Sequence, residues 1–275
     1  MLFDIHAHCF PDAIAEKALQ KLSYASGGVV PSGDGTFPGL CRKMKENGVD
    51  GFAVLNIATN AHQMQKVNDF AAYQKQMGAY PFGSVFPDAP DAVDELRRIK
   101  ELGLYGVKLH PDYQRFFVDD DKMIPIYKEI SRLGLCVIFH AGQDFGFPAP
   151  YCCTPDRLKR ALKHLDCPVI AAHWGGLCMG EQVLTHLCGL PLYFDVSFGY
   201  GAKPRIEAMK IVEKHGTSRL LFGSDFPWHT PKDELRFLST LELSGSEMED
   251  ICVNNASKLL GFEKEDLHLP APAFE

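Results

Sequence analysis

Side chains of the kind that hold metal ions stand at the ends of apolar runs in this chain. Leu2-Phe3-Asp4-Ile5 leads into His6-Ala7-His8, and Cys136-Val137-Ile138-Phe139 leads into His140. Pro168-Val169-Ile170-Ala171-Ala172 leads into His173, and Arg219-Leu220-Leu221-Phe222-Gly223-Ser224 leads into Asp225. Residues two apart on a strand face the same way, so His6 and His8 point together. Two imidazoles from one strand can share a zinc-type ion, with further ligands arriving from across the fold. An HxH pair alone is a weak signal, because a strand-end histidine can simply cap backbone groups. Joined to three more polar strand ends, coincidence becomes a poor explanation.

Apolar runs of that length, separated by helical patterns, read as buried parallel strands. The spacing predicts strands over Gly51–Ile57, Tyr80–Phe86, Tyr105–His110 and Leu192–Ser197 in addition to the four above, which makes eight. Helices are predicted over Pro11–Leu22, Leu40–Asn47, His62–Met77, Asp91–Leu102, Lys122–Leu133 and Thr154–Leu165. More follow over Glu181–Leu187, Arg205–His215, Asp233–Leu241 and Glu247–Leu260. Gly48 suits the residue after a helix, and Thr154-Pro155 an N-cap followed by a first-turn proline. Strict alternation of strand and helix points to a (β/α)8 TIM barrel of the metal-dependent hydrolase type, with residues 1–275 as one domain. Closing the barrel would bring all five polar strand ends to one rim, where such barrels place their active sites.

The length of 275 residues suits one such barrel, typically about 250 residues. Hydrophobic residues at 46% and charged residues at 23% are ordinary for a soluble globular enzyme. A formal charge of −7 argues against a general nucleic-acid or anionic-membrane binder. No apolar stretch approaches the roughly 20 residues of a membrane span, and the first strand begins at Leu2, leaving no room for a signal peptide. The nine cysteines form no CxxC pair, which leaves reduced thiols in a cytoplasmic protein as the expectation.

Taken together, His6-x-His8, Gly106-Val107-Lys108-Leu109-His110-Pro111, His140, His173-x-Gly175-Gly176 and Gly223-Ser224-Asp225-Phe226-Pro227 resemble the amidohydrolase superfamily. The chain looks most like the amidohydrolase-2 branch related to aminocarboxymuconate-semialdehyde decarboxylase. The likeness extends to the closing Asn254-Asn255-Ala256-Ser257-Lys258-Leu259-Leu260-Gly261 segment. It implies that His6, His8, His140 and Asp225 hold one divalent ion, usually zinc, with a second ion as the alternative. A water on such an ion can reach a pKa near roughly 7. By the same resemblance Asp225 is a ligand and general base, and His173 polarises the substrate or acts as acid and base. The competing reading of Asp225 is a helix N-cap, and that of His173 a histidine satisfied by surrounding hydrogen bonds.

Lys108 occupies the position where some relatives carry a carbamylated lysine bridging two ions. Val107 and Leu109 are expected to face the helices, leaving Lys108 and His110 inward. A buried lysine at a cation site must be carbamylated, neutral or paired with a carboxylate; the preferred reading is one metal, with Lys108 meeting the substrate or a nearby acid. His110 is a candidate substrate contact, Trp174 an aromatic wall, and Arg115, Lys203 and Arg205 are the bases best placed for a substrate carboxylate. Trp228 and His229 are plausible pocket walls. His62, His164, His186, His215 and His268 fall on helices or the tail and are expected at the surface.

The leading expectation is hydrolysis of an ester, lactone or amide of a small molecule. The runner-up is non-oxidative decarboxylation of an aromatic or unsaturated carboxylic acid, set second because no firm carboxylate clamp is visible. A nuclease of the TatD type would want a carboxylate on strand four, where this chain has Lys108, and a more basic rim. A non-catalytic ligand-binding barrel would leave the metal set without purpose. The expected partner is a small-molecule substrate, with neither nucleic acid nor membrane, and a homodimer is compatible with the resemblance. Substrate choice would lie with the loops Ser26–Pro38, Tyr113–Asp119 and Gln143–Cys153, where Phe145, Phe147 and Tyr151 hint at a planar ligand.

Overall fold

The computed structural model describes Met1–Pro270. Eight strands pair in parallel and in chain order: β1 Phe3–Ala7, β2 Gly51–Leu55, β3 Tyr80–Gly83, β4 Gly106–Leu109, β5 Cys136–Phe139, β6 Val169–Ala171, β7 Tyr193–Asp195 and β8 Leu220–Leu221. The ring closes through backbone bonds between the first strand with His8 and the segment that follows β8. Ile5 N–H donates to Phe222 O at 2.9 Å, Asp225 N–H to His6 O at 2.8 Å and His8 N–H to Phe226 O at 2.7 Å. The helices are α1 Asp12–Ala25, α2 Phe37–Glu46, α3 Met64–Gln76, α4 Ala92–Glu101, α5 Pro111–Gln114, α6 Ile124–Arg132 and α7 Pro155–Ala161. They continue as α8 Gly180–His186, α9 Arg205–His215, α10 Pro231–Leu238, α11 Gly245–Glu249 and α12 Asn255–Leu260. This is the (β/α)8 TIM barrel that the alternating pattern predicts. No helix is long and apolar enough to cross a membrane among the described residues.

Strand alternation sorts the side chains into two cores. Inside the barrel, Phe3, Ile5, Leu55, Phe82, Ile138, Ile170 and Leu221 pack together. Between barrel and helices lie Val54, Val107, Leu109, Val137, Phe139, Ala171, Phe194 and Leu220 with their helical partners. Gly106 is required on the inner side: a Cβ there would lie 2.5 Å from the Phe82 ring and 2.4 Å from Cys136 O. The missing side chain makes room for a large aromatic in the middle layer, consistent with dense interior packing.

β1 departs from simple alternation. Its pairing with β2 passes from Asp4↔Phe52 to Ala7↔Val54, so one extra residue is inserted. The bulge reverses parity: Phe3 and Ile5 fill the inner core below, while His6 and His8 face the mouth above. Asp4 holds it in place, accepting from His6 N–H at 3.0 Å, Ser224 N–H at 3.0 Å and Ser224 Oγ–H at 2.5 Å. Complete burial raises its pKa to about 7, although Ser224 and the backbone donors pull the other way.

Several expected bounds shift. The Arg219–Asp225 strand is only Leu220–Leu221, because the chain leaves the sheet to place Asp225 in a left-handed conformation (φ 58°). The Glu247–Leu260 helix is α11, a π-helical stretch Asp250–Asn254 and α12. His215 is not at the surface. It is 7% exposed, stacks on Phe194 with ring centroids 4.0 Å apart, and accepts from Gly189 N–H while donating to Leu192 O.

Candidate metal centre

His6, His8 and Asp225 converge at the seam where β1 meets β8. His6 Nε2 and His8 Nε2 are 3.1 Å apart, and each is 3.1 Å from Asp225 Oδ1. The outer nitrogens decide the proton positions. His8 Nδ1 is 2.8 Å from Leu55 O, a carbonyl that can only accept, so Nδ1 carries the hydrogen. His6 Nδ1 is 2.9 Å from Asp195 Oδ2, again an acceptor. In their neutral forms both rings turn bare Nε2 lone pairs toward one carboxylate oxygen. Three acceptors at such separations repel unless a cation lies among them, and their spacing suits ligands with bonds of about 2.0–2.2 Å to one divalent ion.

The electrostatics agree. Burial and Lys108 lower the pKa of His6, yet Asp195 and Asp225 outweigh both and leave it raised, so the site favours positive charge. Asp225 is held well below the usual carboxylate range; burial opposes this, but His6 and His8 prevail. The N-cap reading of Asp225 fails, because Thr230 Oγ1 accepts from Asp233 N–H and caps α10.

Behind the triangle stands Asp195, fully buried on β7. Its Oδ1 accepts from His173 N–H at 3.1 Å, Ser197 N–H at 3.1 Å and Ser197 Oγ–H at 2.5 Å. Since the single hydroxyl hydrogen of Ser197 goes to Asp195, its Oγ accepts from His173 Nδ1–H at 2.7 Å. His173 Nε2 in turn accepts from His140 Nδ1–H at 3.1 Å. Burial drives the pKa of His173 down to about 3, so this ring is neutral. His173 and Trp174 both adopt left-handed backbone (φ 57° and 59°), followed by Gly175 at 80°. That costly sequence of conformations is held by bonds from both backbone N–H groups to Asp195.

The opposite wall is built by β4 and β5. His140 does not join the triangle: its Nε2 is buried without a hydrogen-bond partner among the described residues, and Asp144 Oδ2 stands 3.9 Å from it. His110 stacks on His140 (centroids 4.1 Å, planes 12°), accepts from Tyr113 N–H through Nδ1 and faces Asp144 Oδ2 through Nε2 at 3.3 Å. Lys108 is 1% exposed and makes no ion pair within 4.0 Å among the described residues. Burial lowers its pKa to about 8 despite the pull of Asp225, Asp195 and Asp144. Val107 and Leu109 face the helices, as alternation predicts.

Other expected contacts fall elsewhere. Trp174 is fully buried in the outer core, edge-on to Phe237 on α10, because the left-handed turn carries it away from the mouth. It is no wall for a substrate. Arg115 is exposed and lines a surface hollow of about 400 Å³ with Phe116, Phe117 and Phe147, to which no strand-end histidine contributes. Lys203 is paired with Glu207 at 2.6 Å and Arg205 with Glu242 at 2.5 Å. The aromatic groups at the mouth are instead Phe198, with its ring 5.3 Å from His173, and His229, 4.3 Å from Phe198. Phe145 lies 6.4 Å from Phe198. Sequence reasoning missed Asp195, Ser197, Asp144 and Phe198. An aspartate and a serine inside the apolar run Leu192-Tyr193-Phe194-Asp195-Val196-Ser197 were the available signal, since a buried acid needs partners.

Known proteins place this arrangement in context. A TIM-barrel protein of Bordetella bronchiseptica, described as uncharacterized, superposes with a TM-score of 0.75 at 18% identity, over 94% of this chain and 98% of that one. The 5-carboxyvanillate decarboxylase of Sphingomonas paucimobilis gives 0.69 at 15%, covering 95% and 99%. A dihydroxybenzoic acid decarboxylase of Polaromonas sp., with bound manganese and 2-nitroresorcinol, gives 0.68 at 15%, covering 94% and 96%. At such identities these likenesses carry the fold. No curated protein matches the chain. A family model described as amidohydrolase matches residues 3–262. With that match spanning nearly the whole barrel and both strands of the seam, the chain belongs to the amidohydrolase family, in its amidohydrolase-2 branch.

Proposed function

We propose that this protein is a metal-dependent decarboxylase of a small planar carboxylic acid. The observation that carries this reading is Lys108, a buried ammonium group with no anion paired to it among the described residues, on a mouth whose other side is suited to a cation. An unpaired buried charge is costly, and a substrate carboxylate would relieve that cost. The sequence alone weighs toward hydrolysis for want of a carboxylate clamp. Lys108 supplies one, and the order of the two readings reverses. The decarboxylases among similar folds agree with this choice, as does the aromatic rim of Phe145, Phe198 and His229.

His6, His8 and Asp225 would hold the ion, zinc or manganese, with the unpartnered His140 Nε2 as the remaining candidate ligand or proton acceptor. When bound, it would draw electron density from a substrate oxygen and so favour charge movement at the neighbouring carbon. Lys108 holds the carboxylate in place. The bond between the carboxyl group and the ring breaks, carbon dioxide leaves, and the carbon takes a proton. The proton comes from solvent: His140 Nε2, which carries no hydrogen, takes it up and passes it on to the carbon, while His173 Nε2, 3.1 Å from His140 Nδ1, shares the transient positive charge. A proton gained by His173 is balanced through Ser197 by the Asp195 carboxylate. Asp225 is the alternative proton carrier.

The second reading, hydrolysis of a cyclic ester bearing a carboxylate, uses the same Lys108 clamp with His173 as the proton acceptor. Metal-loaded protein incubated with carboxyl-13C aromatic acids and, separately, with carboxylated lactones decides between them. Labelled carbon dioxide is the expected product. Ring-opened acid without carbon dioxide would establish hydrolysis instead.

A further inference from the structure

We infer that Asp195 is a positioning residue that sets, through one carboxylate, the metal-facing nitrogen of His6 and the proton order of the His173–His140 pair. The two oxygens divide the work. Oδ2 takes the His6 Nδ1 hydrogen at 2.9 Å and thereby leaves His6 Nε2 bare toward His8 and Asp225. Oδ1 takes the Ser197 hydroxyl hydrogen at 2.5 Å, which makes Ser197 Oγ an acceptor and fixes the hydrogen of His173 on Nδ1. With His173 Nε2 then bare, it can only accept from His140 Nδ1, and His140 Nε2 is left without a hydrogen in a buried place. A carboxylate can do this and an amide cannot. An asparagine would present an N–H₂ group to one of the two sides, reversing either the His6 ring or the Ser197 hydroxyl. The same residue also holds the backbone of His173 and Ser197, so the two walls share one anchor of known orientation. Partners of this kind typically change metal affinity by about 10–100-fold when removed. The inference rests on the metal-centre reading, and not on which reaction follows.

The test separates the two arms of the carboxylate. Zinc(II) and manganese(II) are titrated into chelator-treated wild type, Asp195→Asn and Ser197→Ala, with folding checked by thermal unfolding of each. Wild type is expected to take up one ion per chain, Asp195→Asn to bind about 10–100-fold more weakly, and Ser197→Ala to stay within about twofold of wild type. Histidine 15N–1H spectra of the zinc-loaded wild type provide a readout that needs no variant. They should show hydrogens on Nδ1 of His6 and His173, and the Ser197→Ala protein should change only the His173 and His140 signals. Unchanged affinity in Asp195→Asn, or a hydrogen on His173 Nε2 in the wild type, would overturn the role given to Asp195. Absence of metal uptake by the wild type would sink the metal centre itself, a distinct failure. If Asp195→Asn does not fold, the wild-type spectra and the Ser197→Ala contrast still decide the matter.

Discussion

The two walls of the barrel mouth are built from similar residues to opposite effect. On the β8–β1 side, two imidazoles and a carboxylate converge with mutual distances of 3.1 Å, and the groups behind them leave every inward atom an acceptor. On the β4–β5 side, His110 and His140 stack 4.1 Å apart and turn their Nε2 atoms toward Asp144 Oδ2 at 3.3 and 3.9 Å, a looser group than the triangle, and Lys108 supplies positive charge on the same wall. Histidines alone therefore do not make a metal site. Tight convergence with fixed tautomers does, and the looser wall, with Lys108 among its groups, is suited to an anion.

Breaking the first wall should have the largest effect. Either His8→Ala or Asp225→Asn is expected to abolish stoichiometric metal binding and lower turnover by about 10³-fold, since the ion contributes several kcal/mol to the barrier. Metal analysis beside steady-state kinetics checks both at once; full metal content in His8→Ala would contradict the triangle. Breaking the second wall should leave the metal in place. Lys108→Met is expected to lower kcat/KM for a carboxylate substrate by about 100-fold, the equivalent of roughly 3 kcal/mol for a buried charge pair. A neutral analogue should lose little.

Stability sharpens the contrast. Chelation should lower Tm by about 5–10 °C when the ion is otherwise present at 100 times its Kd, because ligand binding then adds about 2.7 kcal/mol to the folded state. The same treatment should not alter the Tm of His8→Ala. A smaller effect is expected far from the mouth, at His215. Burial lowers its pKa to about 4 from 6.5, so the unfolded chain binds the proton more readily. Its contribution to stability is complete above pH 6.5 and is lost as the pH falls from there through about 4. Thermal unfolding across that window should show a shallower pH slope in His215→Leu than in wild type. Least of all should come from Arg115→Ala: exposed beside an outer hollow, it should alter kcat/KM by less than about twofold.

The strand ends were legible because each apolar run stops at a single polar residue, a pattern that parallel barrels impose directly. Lys108 could likewise be placed inward from the alternation of Val107 and Leu109. The reversal of parity in β1 was hidden, since a bulge depends on partners such as Ser224 that lie far along the chain. Asp195 reads in the sequence as one residue of a strand, and only its position among Tyr193, Phe194 and Val196 signals a buried acid that must find partners. Trp174 does not share the wall of its neighbour His173, because the left-handed backbone at both residues turns its ring toward Phe237, which sequence adjacency does not reveal. His215 could have been found: with Ala208 and Ile211 it lies on the buried stripe of α9. Asp144 lies on a loop, where no period announces it.

The bulged first strand and the short last strand meet at the triangle, and this has a bearing on synthesis. Asp4 and Ser224, bonded across the join, are 220 residues apart in sequence. A nascent chain therefore displays both histidines early but cannot form the three-fold site until its last strand has emerged and docked. Ion capture there would act as a checkpoint on completion of the ring. Once made, it would tie together the ends of a very long loop, a constraint that by analogy with covalent cross-links is on the order of 5 kcal/mol in the unfolded ensemble. A product truncated before β8 would keep the histidine pair and yet be unable to retain the cation.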